Sequence, residues 1–64
     1  MELTSELDDW LVTLKDGSVL HLRAHSNSKE GEHIVFYVLM KGAPHFLVDL
    51  AWIPESIVAK VRGG

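Results

Sequence analysis

The stretch His33–Ile53, HIVFYVLMKGAPHFLVDLAWI, predicts the fold of this chain. Its first part, Ile34–Met40, is a run of seven apolar residues rich in β-branched and aromatic types, which favours a strand over a helix. The second part, His45–Ile53, alternates more regularly, and Gly42 and Pro44 between them are typical of a turn. We therefore expect a hairpin of two apolar strands at the centre of the domain.

The two strands of this hairpin distribute their apolar residues differently. The second strand has one partly polar face, marked by Asp49, and the other face is expected to carry Phe46, Val48, Leu50 and Trp52. The first strand has no polar face, because Ile34, Phe36, Val38 and Met40 alternate with Val35, Tyr37 and Leu39. Since one face of a small antiparallel sheet usually meets water, its second face needs a cover: the N-terminal arm, barrel closure or another subunit. The candidate protein interface comprises Val35, Tyr37, Leu39, Leu47 and Ala51.

A second hairpin is predicted where Trp10–Leu14 and Val19–Ala24 flank an Asp-Gly pair. A two-residue loop would mix polar and apolar side chains on each face. A three-residue loop with Gly17 in the left-handed conformation sets Leu14 opposite Ser18 and places polar and apolar side chains on different faces. The sequence therefore predicts the second register, with one apolar face made of Trp10, Val12, Leu14, Leu20, Leu22 and Ala24.

The remaining segments complete a single domain over residues 1–64. Met1–Asp9 predicts a short arm or helix, and the wholly polar Ser26–Glu32 predicts a flexible loop. Residues 57–61 favour a last strand by their β-branched content, and a helix beginning at Pro54 is the alternative. The barrel is expected to span residues 10–62, with residues 63–64 as a flexible tail.

Composition excludes several classes of protein. The chain has no cysteine, which rules out disulfides and thiolate chemistry, and 47% hydrophobic residues, which indicates a globular domain. Its formal charge is −3 and its basic residues are scattered, so nucleic acid is an unlikely partner. The acidic start MELTSELDD does not resemble a signal peptide, and no apolar run reaches the roughly 18 residues that span a bilayer. We expect a cytoplasmic protein without membrane contact.

Three short stretches resemble known families. Trp52–Val58 resembles the end of Src-homology-3-like barrels, where a proline-led 3₁₀ turn links the last two strands. Leu11–Ser18 resembles the opening of Sm-like RNA-binding rings, which implies an N-terminal helix and a barrel. Val61–Gly64 resembles the tail of ubiquitin and the β-grasp sulfur carriers, in which the terminal glycine carboxylate is adenylated. That last resemblance implies a helix over residues 30–41, and Gly63 and Gly64 would be its functional tail.

Side chains suited to a metal or to catalysis are few. His25 and His33 bracket the polar loop and could meet at its base with Glu30 or Glu32, as candidate metal ligands. No serine is paired with His45 and Asp49, and no glycine-rich phosphate loop is present. We expect no enzyme activity and no cofactor. Trp10 and Trp52 are expected in the core.

The sequence thus predicts a small all-β, five-stranded antiparallel barrel of the Src-homology-3-like type, with an α+β β-grasp fold as the alternative. The expected function is a non-enzymatic protein-interaction module, homodimeric or a higher oligomer. The alternatives are an Sm-like nucleic-acid-binding ring, a diglycine-tailed carrier and a small acidic inhibitor protein.

Overall fold

Two three-stranded antiparallel sheets form the whole of the fold. The computed structural model describes residues 2–64 and contains six strands and one 3₁₀ turn. The first sheet has the order β2-β1-β6 and the second the order β3-β4-β5. The strands are β1 (Asp8–Leu14), β2 (Val19–Ala24), β3 (Ser26–Glu30), β4 (His33–Met40), β5 (Phe46–Pro54) and β6 (Val58–Gly63).

The β1–β2 hairpin has the predicted register. Val12 pairs with Leu20 and Thr13 with Val19, which sets Leu14 opposite Ser18. The Leu14 amide donates to the Ser18 carbonyl at 2.8 Å, and Gly17 has φ of +91°, a conformation that glycine adopts without steric cost. This register confirms the three-residue loop, and it places Trp10, Val12, Leu14, Leu20, Leu22 and Ala24 on one face.

The polar segment after β2 is a strand, so the prediction of a loop at residues 26–32 was wrong. Ser26 pairs with Tyr37 and Glu30 with His33, and one residue, His25, separates β3 from β2. The amides and carbonyls on this side of the apolar β4 need partners. A polar edge strand supplies them while its own side chains stay hydrated. The sheets accordingly contain six strands, where five were expected.

The β4–β5 hairpin is confirmed, but a β-bulge changes the faces of β5. Phe36 pairs with Ala51 and Tyr37 with Asp49, which leaves Leu50 as an extra residue. The alternation of side chains between the two faces of the sheet is therefore interrupted at the bulge. The expectation that four β5 residues share one face was wrong: Phe46 and Val48 lie opposite Met40 and Val38, whereas Trp52 lies opposite Val35 on the other face.

The N-terminal arm is extended, and residues 2–9 contain no helix. Leu3 forms a bridge with Met40, the Thr4 amide donates to the Leu39 carbonyl, and the Lys41 amide donates to the Glu2 carbonyl. The arm thus continues along the edge of β4 beyond the point where β3 begins. The arm is shorter than the predicted residues 1–9, because β1 begins at Asp8; Met1 lies outside the described residues.

The predicted 3₁₀ turn after β5 is confirmed at Glu55–Ile57, preceded by Pro54. β6 follows it and pairs with β1, so the helical alternative for residues 54–62 was wrong. The β-grasp alternative was also wrong, because β4 occupies most of the segment in which that fold needs a helix. In β6 the β-branched content outweighed the helix start at Pro54.

The core lies between the two sheets. Val12, Ala24, Phe36 and Ile53 form its buried centre, and the Trp10 ring packs edge-on against Phe36 with centroids 5.8 Å apart. Seven half-buried side chains complete it: Trp10, Leu14, Leu22, Ile34, Ala51, Val58 and Val61.

The sheets are open, and the predicted closed barrel is absent from residues 2–64. No strand ladder joins the two sheets in this part of the chain. The radius of gyration is 12.4 Å, compared with about 10.7 Å for a compact domain of this length. No helix in residues 2–64 is long and apolar enough to cross a membrane.

Candidate functional site

The face of the β3-β4-β5 sheet that points away from the core carries a group of large apolar side chains. Strand alternation and the pairing of Leu39 with Leu47 and of Val35 with Trp52 place these residues on the same side. Leu47 is 58% exposed and Trp52 55% exposed, while Tyr37 and Leu39 are half-buried. We call Tyr37, Leu39, Leu47 and Trp52 the outer patch.

Trp52 is held in place at one end of the outer patch. Its indole Nε1 donates to Asp49 Oδ2 at 3.2 Å, and the His33 ring lies 5.7 Å from its own ring at an angle of 60°. These two contacts fix an aromatic side chain that is more than half in solvent. The expectation that Trp52 belongs to the core was therefore wrong, whereas Trp10 does lie in the core, where its Nε1 donates to the Ala24 carbonyl.

The structure separates the residues predicted as an interface. Tyr37, Leu39 and Leu47 belong to the outer patch, and Val35 lies on the same face opposite Trp52 but is only 2% exposed. Ala51 lies on the opposite face, where it pairs with Phe36 and packs against the core. Sequence reasoning missed Trp52 at this site, because no glycine or other local signal marks the bulge that turns it outward.

Comparisons with protein-family models, with curated proteins and with solved structures give no match. Function is therefore inferred from the geometry, charge and hydrogen bonding of the outer patch.

The two candidate metal ligands lie far apart. His33 is level with Glu30 at one end of β3, whereas His25 precedes the other end, and its Nδ1 accepts a hydrogen bond from the Leu39 amide at 2.8 Å. Its Nε2 lies 3.0 Å from the Ser5 carbonyl oxygen, so both ring nitrogens are engaged. The strand at residues 26–30 holds the two histidines apart, and residues 2–64 contain no group of three His, Asp or Glu side chains placed to hold a metal ion.

The predicted tail residues also have defined positions. Gly63 is the last residue of β6 and pairs with Trp10, with φ of +130°. A side chain at this position would collide with the carbonyl oxygen of Asp9. Gly64 follows the strand, and a Cβ on it would lie 3.3 Å from the Trp10 ring. Packing against β1 thus explains the glycine at position 63.

A shallow open cleft of about 560 Å³ lies beside the 3₁₀ turn, at the other end of β5 from the turn that begins with Gly42. An ion pair between Lys29 Nζ and Glu55 Oε2, 2.9 Å long, borders it. His33, Ser56 and Lys15 also line the cleft. This exposed pair contributes little free energy, and the lining of the cleft within residues 2–64 includes no group of large apolar side chains, so the outer patch is the stronger candidate site.

Proposed function

We propose that this chain is a non-enzymatic protein-interaction module that associates with further copies of itself through the outer patch. The observation that carries the proposal is the exposure of Leu47 and Trp52 on the sheet face opposite the core. Contiguous exposed apolar groups of a few hundred Å² on a small soluble domain typically mark an interaction site. The outer patch contains a tyrosine and a tryptophan, which are enriched among the side chains that dominate binding energy at interfaces.

The small core favours a second copy of the chain as the molecule that covers the outer patch. Within residues 2–64, six apolar side chains are buried: Val12, Ala24, Val35, Phe36, Val38 and Ile53. A domain of about 60 residues without disulfides has little apolar burial to offset chain entropy, and association would add to it. A two-fold dimer uses the same patch on both copies. The outer patch suits this, because Asp49, the charged residue that lies on the same face opposite Tyr37, already accepts a hydrogen bond from Trp52.

We further propose that the two sheets are the opened halves of a small Src-homology-3-like barrel. Two features support this assignment. β2 and β3 are separated only by His25, so they can be regarded as one bent strand shared by both sheets. A 3₁₀ turn led by Pro54 links the last two strands, as in the family that the sequence resembles. On that view the fold has five strands and the outer patch lies on its second sheet.

Substitution of Leu47 by lysine tests the self-association. Leu47 pairs with Leu39 within the outer patch, so burial of an unpaired ammonium group at each copy would cost on the order of 2 kcal/mol or more. The dissociation constant should then rise at least about 30-fold. Because Leu47 is 58% exposed, the fold of the monomer should tolerate the change.

Val19→Lys is the matched control. Val19 is 57% exposed, nearly the same as Leu47, but it lies at the start of β2 in the other sheet. Sedimentation velocity across a concentration series, with circular dichroism to verify folding, measures both variants. The proposal expects Leu47→Lys to shift the chain to monomer and Val19→Lys to leave its association unchanged. Equal effects of the two variants, or a monomeric unmodified chain at high micromolar concentration, would refute it.

A further inference from the structure

The outer face of the β2-β1-β6 sheet carries a charge opposite to that of the rest of the chain. Pairing of Asp9 with Arg23, of Leu11 with Arg62 and of Thr13 with Lys60 places these side chains on the face away from the core. Three of the six basic residues and one of the nine acidic residues therefore lie on it, a formal charge of +2, and the remaining residues carry −5. We call Leu11, Arg23, Lys60 and Arg62 the basic face.

The unneutralised charge of the basic face is concentrated on β6. Asp9 Oδ1 lies 3.4 Å from Arg23 Nε and 3.3 Å from His21 Nε2, so its carboxylate is already shared. Lys60 and Arg62 form no salt bridge with any carboxylate of residues 2–64. Arg62 borders a shallow depression of about 330 Å³, whose other lining residues include Leu11 and His21.

The spacing of these cations matches an extended acidic segment. Lys60 and Arg62 are two residues apart on one strand face, a separation of roughly 7 Å. Carboxylates on alternate residues of an extended chain have the same separation. β6 is an edge strand of its sheet, which leaves room beside it for such a segment. Leu11, 42% exposed next to Arg62, provides an apolar contact.

We propose that the basic face binds an acidic, extended segment of a partner protein in which carboxylates alternate with apolar side chains. Lys60 and Arg62 contact the carboxylates, and Leu11, on the same face, contacts the aliphatic part of one of those acidic side chains, because the residues between them point to the other side of an extended segment. A nucleic acid fits this surface less well, because none of the chain's tryptophan, tyrosine or phenylalanine side chains belongs to it to stack on bases. Three Lys and Arg side chains also allow little counterion release.

Fluorescence anisotropy with a short fluorescein-labelled peptide of alternating glutamate and valine tests the proposal. Three comparisons accompany it: a peptide of the same composition with its glutamates in one block, a single-stranded DNA of the same charge, and a titration of salt. The unmodified chain should bind the alternating peptide most tightly, and added salt should weaken that binding.

The double variant K60E/R62E should weaken peptide binding at least about tenfold, since charge-assisted hydrogen bonds are lost and repulsion is introduced. K15E/K41E changes the net charge by the same amount at two cations outside the basic face, and it should leave binding within about twofold. Equal loss in both double variants, equal affinity for the block peptide, tighter binding of DNA or no binding by the unmodified chain would each overturn the proposal. Circular dichroism verifies that both variants fold.

Discussion

Replacement of His25 by alanine should release the N-terminal arm from the edge of β4. The Leu39 amide can only donate, so Nδ1 of His25 accepts its hydrogen bond at 2.8 Å. The Ser5 carbonyl can only accept, so Nε2 carries the hydrogen and donates to it at 3.0 Å. One imidazole in one tautomer thus joins the arm to β4, between the end of β2 and the start of β3.

The expected loss of stability follows from the two backbone groups that lose their hydrogen-bond partners. The part-buried Leu39 amide would be left unsatisfied, at about 1–3 kcal/mol, and the Ser5 carbonyl would lose a more exposed bond, worth about 0.5–1 kcal/mol. The sum of about 1.5–4 kcal/mol is large beside the roughly 3–10 kcal/mol expected for a domain of this length. His25→Ala should therefore lower Tm by about 6–30 °C. His25→Asn, whose amide oxygen can replace Nδ1 as an acceptor, should recover about half of the loss.

His45→Ala is the matched control, because His45 Nδ1 also accepts a backbone hydrogen bond, from the Gly42 amide at 3.0 Å. That bond is local and exposed, so its loss should cost less than about 1 kcal/mol. Thermal unfolding and amide hydrogen exchange measure the difference, and in His25→Ala the Leu39 and Thr4 amides should lose protection first. Equal Tm shifts in the two variants, or unchanged exchange at Leu39, would refute this account of the arm.

Two further predictions concern backbone geometry and pH. Gly63→Ala should destabilise the chain by about 1–2 kcal/mol in chemical denaturation, because the new side chain meets the Asp9 carbonyl and the end of β6 must peel away from β1; an unchanged midpoint would contradict the pairing at Trp10. Asp16 accepts a hydrogen bond from the Ser18 amide at 2.8 Å, which lowers its pKa. The contribution of Asp16 to stability is therefore present above the pKa that its carboxyl has in the unfolded chain. It is lost as pH falls through the lower pKa of the folded state, below about pH 4. Asp16→Asn should remove that step from an acid titration of stability, and an unaltered titration would argue against the turn.

The register of the first hairpin could be predicted from sequence because each of its elements is local. Alternation in β1 and β2 gives two candidate registers, and only the one with Gly17 left-handed keeps polar and apolar side chains apart. The 3₁₀ turn after Pro54 is local in the same way. In both places, residues within a few positions of one another determine the conformation.

The second sheet could be predicted only in part, because its details depend on distant residues. Residues 26–30 have no intrinsic strand signal, and they become β3 because the apolar β4 offers an edge to pair with. No glycine marks the bulge at Leu50 in the sequence, yet the bulge places Trp52 and Val48 on opposite faces of the sheet. The sequence therefore groups Tyr37, Leu39 and Leu47, which share a face in the structure. It adds Ala51, which lies on the other face, and it omits Trp52.

An isotope-filtered nuclear Overhauser experiment on a mixture of labelled and unlabelled copies tests the central claim most directly, since it records contacts between copies alone. The proposal predicts intermolecular signals from the Leu47 methyl groups and the Trp52 indole, which disappear in Leu47→Lys. Intermolecular signals confined to Leu11 and Val19 on the other sheet, or none at concentrations where the chain is associated, would contradict it.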